Sequence, residues 1–146
     1  MSSVIELYYY ATDPKIKNYS LEIENNDNSD TSVAYLTADS LPLYSNDNPY
    51  KAIGILKRSG TQVPSVDQSD EFVTQLCTIY FYNQNNSISF ELNDIEYRNG
   101  KFYPPNIYIN SVITSCSGDI YSKRGTVSIL PLDNEIKTRI IKITLY

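Results

Sequence analysis

Residues 106 to 130 read NIYINSVITSCSGDIYSKRGTVSIL, and this stretch decides the fold class. Apolar side chains recur at alternate positions in its two halves: Ile107, Ile109 and Ile113, then Val127 and Ile129. Between the halves, residues 117–119 place a glycine in a short polar turn. Period-two alternation on both sides of a glycine-bearing turn is typical of a β-hairpin. The stretch therefore predicts two antiparallel strands joined by a tight turn.

The rest of the chain repeats this pattern. Short alternating runs are separated by turn residues, and no segment shows sustained helical periodicity. The longest run, residues 72–82, carries bulky side chains on both faces, so we expect both of its faces to be buried. About eight strands with short connections predict an all-β domain over residues 1–146, a closed eight-stranded antiparallel β-barrel.

Length and composition narrow the class of protein. The chain has 146 residues, enough for one domain with a single hydrophobic core, and its aromatic residues are mostly the 14 tyrosines, which suit half-buried strands. A net charge of −5 argues against nucleic acid as the main partner. No apolar run is long enough to span a bilayer, and the N-terminal MSSVIELYYY lacks a secretory pattern, which favours a cytoplasmic protein.

Several common chemistries lack their residues. The chain has no histidine, which removes the usual general base and every Ser-His or Cys-His pair. Cys77 and Cys116 have no metal-binding spacing and are either free buried thiols or a disulfide between neighbouring strands. The polar loop at residues 25–30 lacks the Gly and Glu of a helix-flanked calcium loop. We therefore predict no metal site.

Three stretches resemble the allene oxide cyclase and dirigent barrel superfamily. Residues 113–121 (ITSCSGDIY), followed by KRGTV at 123–127, resemble that family's I-T-G-G-T-G-x-Y/F … R-G-x-V hairpin, although Ser115-Cys116-Ser117 replaces a glycine-rich run. CTIYFY at 77–82 with SISF at 87–90 resembles its paired central strands. LPLYSN at 41–46 before AIG at 52–54 is similar to the loop that leads into the cyclases' next strand.

The resemblance implies both a fold and a mode of action. It implies an eight-stranded barrel, commonly trimeric, whose lumen receives a hydrophobic small molecule. The plant cyclases close a ring on a fatty-acid epoxide, and dirigent proteins steer phenolic radical coupling; both act without a cofactor, by orienting a reactive molecule. Asn46 lies near a cyclase asparagine that holds a water. The cyclases' first-strand carboxylate has no counterpart, because Tyr10-Ala11 stand there.

Seven residues are candidates for lining such a lumen. They are Glu6, Tyr8, Tyr10, Asn46, Tyr80, Tyr82 and Glu91. A buried carboxyl group has a raised pKa and serves as an acid or base, and tyrosines form flat walls with phenol groups at the rim. The alternative for the two glutamates is the solvent face of their strands, and for the tyrosines it is packing or a subunit interface.

We therefore expect a cofactor-free barrel that binds a hydrophobic small molecule and guides its cyclisation or coupling, assembled as a homo-oligomer with a trimer favoured. Whether it is an enzyme stays open; if it is, a cofactor-independent cyclase or isomerase fits. The alternative is a non-enzymatic structural or assembly protein with a filled barrel that oligomerises through its strands. A carbohydrate-binding barrel or sandwich is a third class, for which the sequence has no specific motif.

Overall fold

The computed structural model describes residues 2–26, 32–66, 70–99, 101–103, 106–132 and 137–146. The polar loop predicted at residues 25–30 lies largely outside these ranges. Within them, ten strands form one antiparallel sheet. They are β1 (Ser3–Tyr10), β2 (Lys17–Glu24), β3 (Val33–Leu43), β4 (Gly54–Pro64), β5 (Glu71–Phe81), β6 (Asn86–Arg98), β7 (Lys101–Phe102), β8 (Ile107–Ser117), β9 (Gly125–Leu132) and β10 (Thr138–Leu145). The all-β prediction is confirmed.

The strand order is β1-β10-β9-β8-β6-β5-β4-β3-β2, and the two-residue β7 pairs with the end of β6. Most neighbours in space are neighbours in sequence, as expected for hairpin-connected strands. The described residues contain no helix with the length and hydrophobicity needed to cross a membrane.

The hairpin predicted from residues 106–130 is confirmed. β8 and β9 pair from Ile107–Leu132 to Val112–Thr126, and a 3₁₀ turn at Gly118–Ile120 begins their connection. Gly118 has a φ of 75°, and a Cβ there would lie 2.0 Å from the backbone oxygen of Asn85. The backbone N–H of Asp119 donates to Asn86 Oδ1 at 2.8 Å. The glycine is therefore needed both for the turn and for close packing against the start of β6.

Alternation along each strand decides which side chains form the core. In β10, Ile141, Ile143 and Leu145 are buried, while Lys142 between them is exposed. Buried side chains from β1, β3, β4, β5, β6, β8, β9 and β10 join into one core cluster on the concave face of the sheet. The convex face has no covering layer among the described residues.

The expectation that both faces of β5 are buried is wrong. Cys77 and Ile79 are 2% and 0% exposed, whereas Leu76 and Tyr80 between them are 58% and 44% exposed. Bulky side chains on both faces therefore do not distinguish a doubly covered strand from one whose outer face carries apolar residues at the surface.

The prediction of a closed eight-stranded barrel is also wrong, because the sheet is an open, curled half-barrel. Nine strands form its continuous order, and the short β7 is attached only to β6. β2 pairs with β3 from Lys17–Ser40 to Glu24–Val33. Only beyond that stretch does β1 reach the same edge of β3, through one isolated bridge between Tyr8 and Tyr44. The two backbone hydrogen bonds of this bridge are both 2.8 Å.

This arrangement explains why the sheet stays open. An edge of a strand can pair with one neighbour at each position, and β2 uses most of the edge that β1 would need for closure. β1 instead pairs along its whole length with β10, from Ser3–Leu145 to Tyr10–Thr138. β1 and the end of β3 thus meet at Tyr8 and Tyr44, and they are not paired with each other where β1 ends and β2 begins.

A pair of substitutions on β5 tests which face of the sheet is buried. Ile79→Ala is expected to lower the free energy of unfolding by about 3 kcal/mol, because it leaves a cavity in the core. Leu76→Ala, which removes an exposed side chain, is expected to cost about 0.5 kcal/mol or less. Urea unfolding measures both values. Equal losses would contradict the single-faced core.

Candidate functional site

A cavity of about 450 Å³ opens in the concave face near the end of β1. Its apolar wall comes from strands β5 to β9: Val73, Leu92, Ile95, Phe102, Ile109 and Ile129. The rings of Tyr97 and Phe102 meet edge to face, with centroids 5.1 Å apart and planes at 74°. Pockets with apolar walls and a few fixed polar groups are typical of small-molecule sites.

Two arginines bring positive charge to this cavity, and the first of them, Arg58, is fully paired. Its Nε donates to Asp39 Oδ1 at 2.9 Å and its Nη2 donates to Asp39 Oδ2 at 2.7 Å. The guanidinium carbon lies 5.8 Å from the centroid of the Tyr9 ring. Burial lowers the pKa of Arg58, but the hydrogen bonds and charge of Asp39 outweigh that effect and hold the pKa above its usual value. Arg58 is therefore a neutralised structural charge.

The second arginine, Arg139, is buried without an equivalent partner. It lies opposite Tyr9 in the β1–β10 register and lines the cavity. The residue is 8% exposed, and its Nη1 atom has no hydrogen-bond partner within the described part of the chain. Burying a cationic donor without a partner is costly, so such a group marks a need for an interaction beyond those that the described residues supply.

The remaining polar groups of the cavity are phenols and amides. Tyr9, Tyr97, Gln62 and Gln75 line it, and the Gln62 amide nitrogen donates to the carboxylate of Glu71. Among the described residues that line it, none carries a carboxylate, a hydroxyl of Ser or Thr, or a thiol. The polar groups that these described residues offer are therefore hydrogen-bond donors and acceptors set in an apolar wall.

The two cysteines are free thiols on β5 and β8, with β6 between them. Cys77 is buried in the core, and burial raises its pKa to about 12, an effect that the charge of Arg58 reduces. Because the thiolate is the reactive form, Cys77 is a packing residue at neutral pH. Within the described ranges, no group of three or more Cys, Asp or Glu residues is arranged to hold a metal ion.

The structure does not place any of the seven candidate lumen residues in the wall of this cavity. In β1 the concave face carries Leu7 and Tyr9, so Glu6, Tyr8 and Tyr10 point the other way. Asn46 and Glu91 are exposed. The alternation in β1 is regular, but its buried side chains, Leu7 and Tyr9, take the concave side. The three candidates in β1 therefore have the opposite phase to the one that a role in the lumen requires. Ligand binding by these residues stays a prediction.

Two of the candidate tyrosines, Tyr10 and Tyr82, lie near Tyr44 instead. The rings of Tyr10 and Tyr44 lie 5.5 Å apart, and Tyr82 is an electrostatic neighbour of Tyr44. Tyr8 donates to Glu6 Oε2 at 3.2 Å. Tyr80 lies elsewhere, with Lys57 Nζ 5.3 Å from its ring centroid. Tyr8, Tyr10, Tyr44 and Tyr82, which we call the tyrosine cluster, therefore lie around the β-bridge between Tyr8 and Tyr44 and not around the cavity.

Arg139 was not among the candidates, although the sequence carries a signal for it. It is in phase with Ile141, Ile143 and Leu145, the inward positions of the last strand. A charged residue that occupies an inward position of an alternating strand breaks the pattern in a way that marks a possible site. Its neighbour Lys142, in the opposite phase, is an ordinary exposed lysine.

No protein-family model matches the chain, and no curated protein matches it. Among solved structures the chain is similar to pyocyanin demethylase, with 11% sequence identity and a TM-score of 0.54 over 99% of this chain and 100% of that one. At this level of identity the similarity shows a shared fold, a curled antiparallel sheet, and nothing finer. No family match confirms the resemblance to allene oxide cyclases and dirigent proteins.

The tyrosine cluster yields a prediction about pH. Tyr44 donates to Asp13 Oδ2 at 2.7 Å, and burial together with that bond and the charge of Asp13 raises the pKa of Tyr44 to about 12. An unfolded tyrosine ionises near pH 10. Between about pH 10 and 12 the unfolded chain therefore loses this proton while the folded protein keeps it, and the stabilisation from Tyr44 falls as pH rises.

Tyr44→Phe is accordingly expected to lower the free energy of unfolding by about 2 kcal/mol at pH 8, the value of a hydrogen bond to a charged acceptor. The gap between wild type and variant should narrow as pH rises above 10. Urea unfolding at pH 8, 10 and 11 measures it, with Tyr121→Phe, at an exposed position, as the control. A gap that does not change with pH would contradict the account.

Proposed function

We propose that the protein binds a small, largely apolar molecule in the cavity between β1 and β4–β10. The observation that carries the proposal is the cavity itself. Its volume of about 450 Å³ falls within the range of small-molecule sites, and its apolar wall contains a paired aromatic corner. The similar fold of pyocyanin demethylase, whose name describes action on a small molecule, supports this class of function.

The chemistry that suits this site is orientation of the bound molecule. Tyr9 and Tyr97 offer phenol groups, and Gln62 and Gln75 offer amides, against an otherwise apolar wall. Groups of this kind hold a reactive molecule in one conformation and stabilise partial charges without a covalent intermediate. The resemblance to the cyclase and dirigent barrels extends the proposal to a guided cyclisation or coupling without a cofactor.

Native mass spectrometry of the purified protein tests binding directly. We expect a mass above that of the bare chain or oligomer, which disappears after gentle solvent extraction. Val73→Phe places a larger side chain in the cavity and should abolish the extra mass. Leu76→Phe, on the convex face of the same strand, should keep it. An adduct that survives Val73→Phe lies elsewhere, and a protein that never carries or takes up an apolar molecule contradicts the proposal.

A second candidate function, assembly through the strands, is favoured by the composition of β2. Every residue of β2 is exposed, and its apolar residues face outward, in contrast to the other strands. Tyr19 and Leu21 are 65% and 62% exposed, and Leu21 is paired in register with the exposed Leu36 of β3. β2 also ends the strand order, so its outer edge is unpaired within the described sheet.

An exposed edge strand with an apolar face is a surface that another strand can cover. We propose that a second copy of this chain covers it, because β2 of that copy offers the same edge and the same apolar face. No residue of β2 lines the cavity, so binding and assembly are compatible. The resemblance implies a trimer, whereas pairing of two β2 edges about a twofold axis gives a dimer.

Light scattering after size exclusion measures the assembly. The wild-type protein should have a mass above that of the monomer, and Leu21→Lys should shift it to the monomer by placing a charge in the apolar contact. Val112→Lys, at an exposed position on β8, should leave the mass unchanged. A monomeric wild type, or equal effects of the two lysines, would contradict assembly through β2.

A further inference from the structure

Two guanidinium groups line the cavity, and their surroundings differ in one respect. Arg58 forms two hydrogen bonds with Asp39, which neutralises its charge. Arg139 is more completely buried than Arg58, but within the described residues it takes part in no ion pair and its Nη1 makes no hydrogen bond. One face of the cavity therefore carries a desolvated positive charge with unused donor capacity.

The other described residues that line the cavity do not neutralise this charge. The side chains that share the cavity with Arg139 are apolar groups, phenols, amides and the paired Arg58. Tyr9 is the partner of Arg139 in the β1–β10 register. The centroid of its ring lies 5.8 Å from the guanidinium carbon of Arg58. A buried cation in apolar surroundings is unfavourable unless it meets an anion, and a guanidinium binds the two oxygens of a carboxylate through parallel hydrogen bonds.

We propose that the molecule bound in the cavity is an organic acid with an apolar, planar body, and that Arg139 binds its carboxylate. The planar body would pack against the edge-to-face pair of Tyr97 and Phe102, which line the same cavity as Arg139. The inference rests on the proposed binding of a small molecule in this cavity. It adds the charge of the ligand and the residue that selects it.

A matched pair of ligands isolates the charge. 2-Naphthoate and 2-naphthamide share the same rings and differ in whether the polar group is an anion. By calorimetric titration, the wild-type protein should bind the acid about tenfold or more tightly than the amide, since charge-assisted hydrogen bonds in a desolvated site are strong. The amide should still bind, through the apolar wall alone.

Substitutions at Arg139 locate the preference. Arg139→Gln should bring the affinity ratio of acid to amide close to one by weakening the acid, with the amide unchanged. Arg139→Lys, which keeps the charge but loses the planar pair of donors, should keep an intermediate ratio. Lys142→Gln removes the same charge from the exposed side of β10 and should leave the ratio at its wild-type value.

A stability measurement guards against a variant that fails to fold. Without ligand, Arg139→Gln should unfold at the same urea concentration as the wild type or at a higher one, because it removes an unpaired buried charge. With saturating 2-naphthoate, the midpoint of the wild type should rise and that of the variant should not. A variant much less stable than wild type without ligand would mean that the chain itself satisfies Arg139, and this would overturn the inference.

The possible binding results separate the two proposals. Equal binding of acid and amide by the wild type would overturn the inference and leave the cavity as an apolar binding site. A preference for the acid that persists in Arg139→Gln would also overturn it, because the anion would then bind elsewhere. Failure of both probes to bind the wild type would overturn the proposed function and the inference with it.

Discussion

The outer edge of β3 must serve two strands, and this constraint shapes the molecule. β2 pairs with that edge from Ser40 back to Val33, and β1 meets it only at Tyr44. A strand edge has one set of backbone donors and acceptors, so the groups that pair with β2 are not available to β1 for closing the barrel. The sheet therefore curls without closing, and the lumen is well packed on one side of the bridge and open on the other.

The position of the cavity follows from this geometry. Where the half-barrel is gathered, short distances across the lumen let Leu43, Ile79, Phe90 and Ile143 fill it, and all four are almost completely buried. Near the end of β1 the inward positions are not all apolar, because polar side chains share the cavity wall with apolar ones. Arg139 is one of these, and the missing partner of its Nη1 within the described residues links the open sheet to the binding that we propose.

The period of the hydrophobic pattern made most of the fold predictable, because alternation in β8, β9 and β10 depends on side chains that are local in sequence. Closure was not predictable, since it depends on whether β1 or β2 pairs with β3, and both strands alternate well. The seven candidate residues lie outside the wall of the cavity for a related reason. Glu6 and Tyr8 were chosen by residue type, whereas the phase of Leu7 and Tyr9 decides which side faces inward. Arg139 was identifiable from the same rule of phase.

The most direct test of the account is an experimental structure of the protein with 2-naphthoate. We expect an open sheet with the naphthalene ring against Tyr97 and Phe102 and a carboxylate oxygen within hydrogen-bond distance of Arg139 Nη1. A carboxylate of the chain itself on Arg139, with the ligand outside the half-barrel or absent, would contradict it.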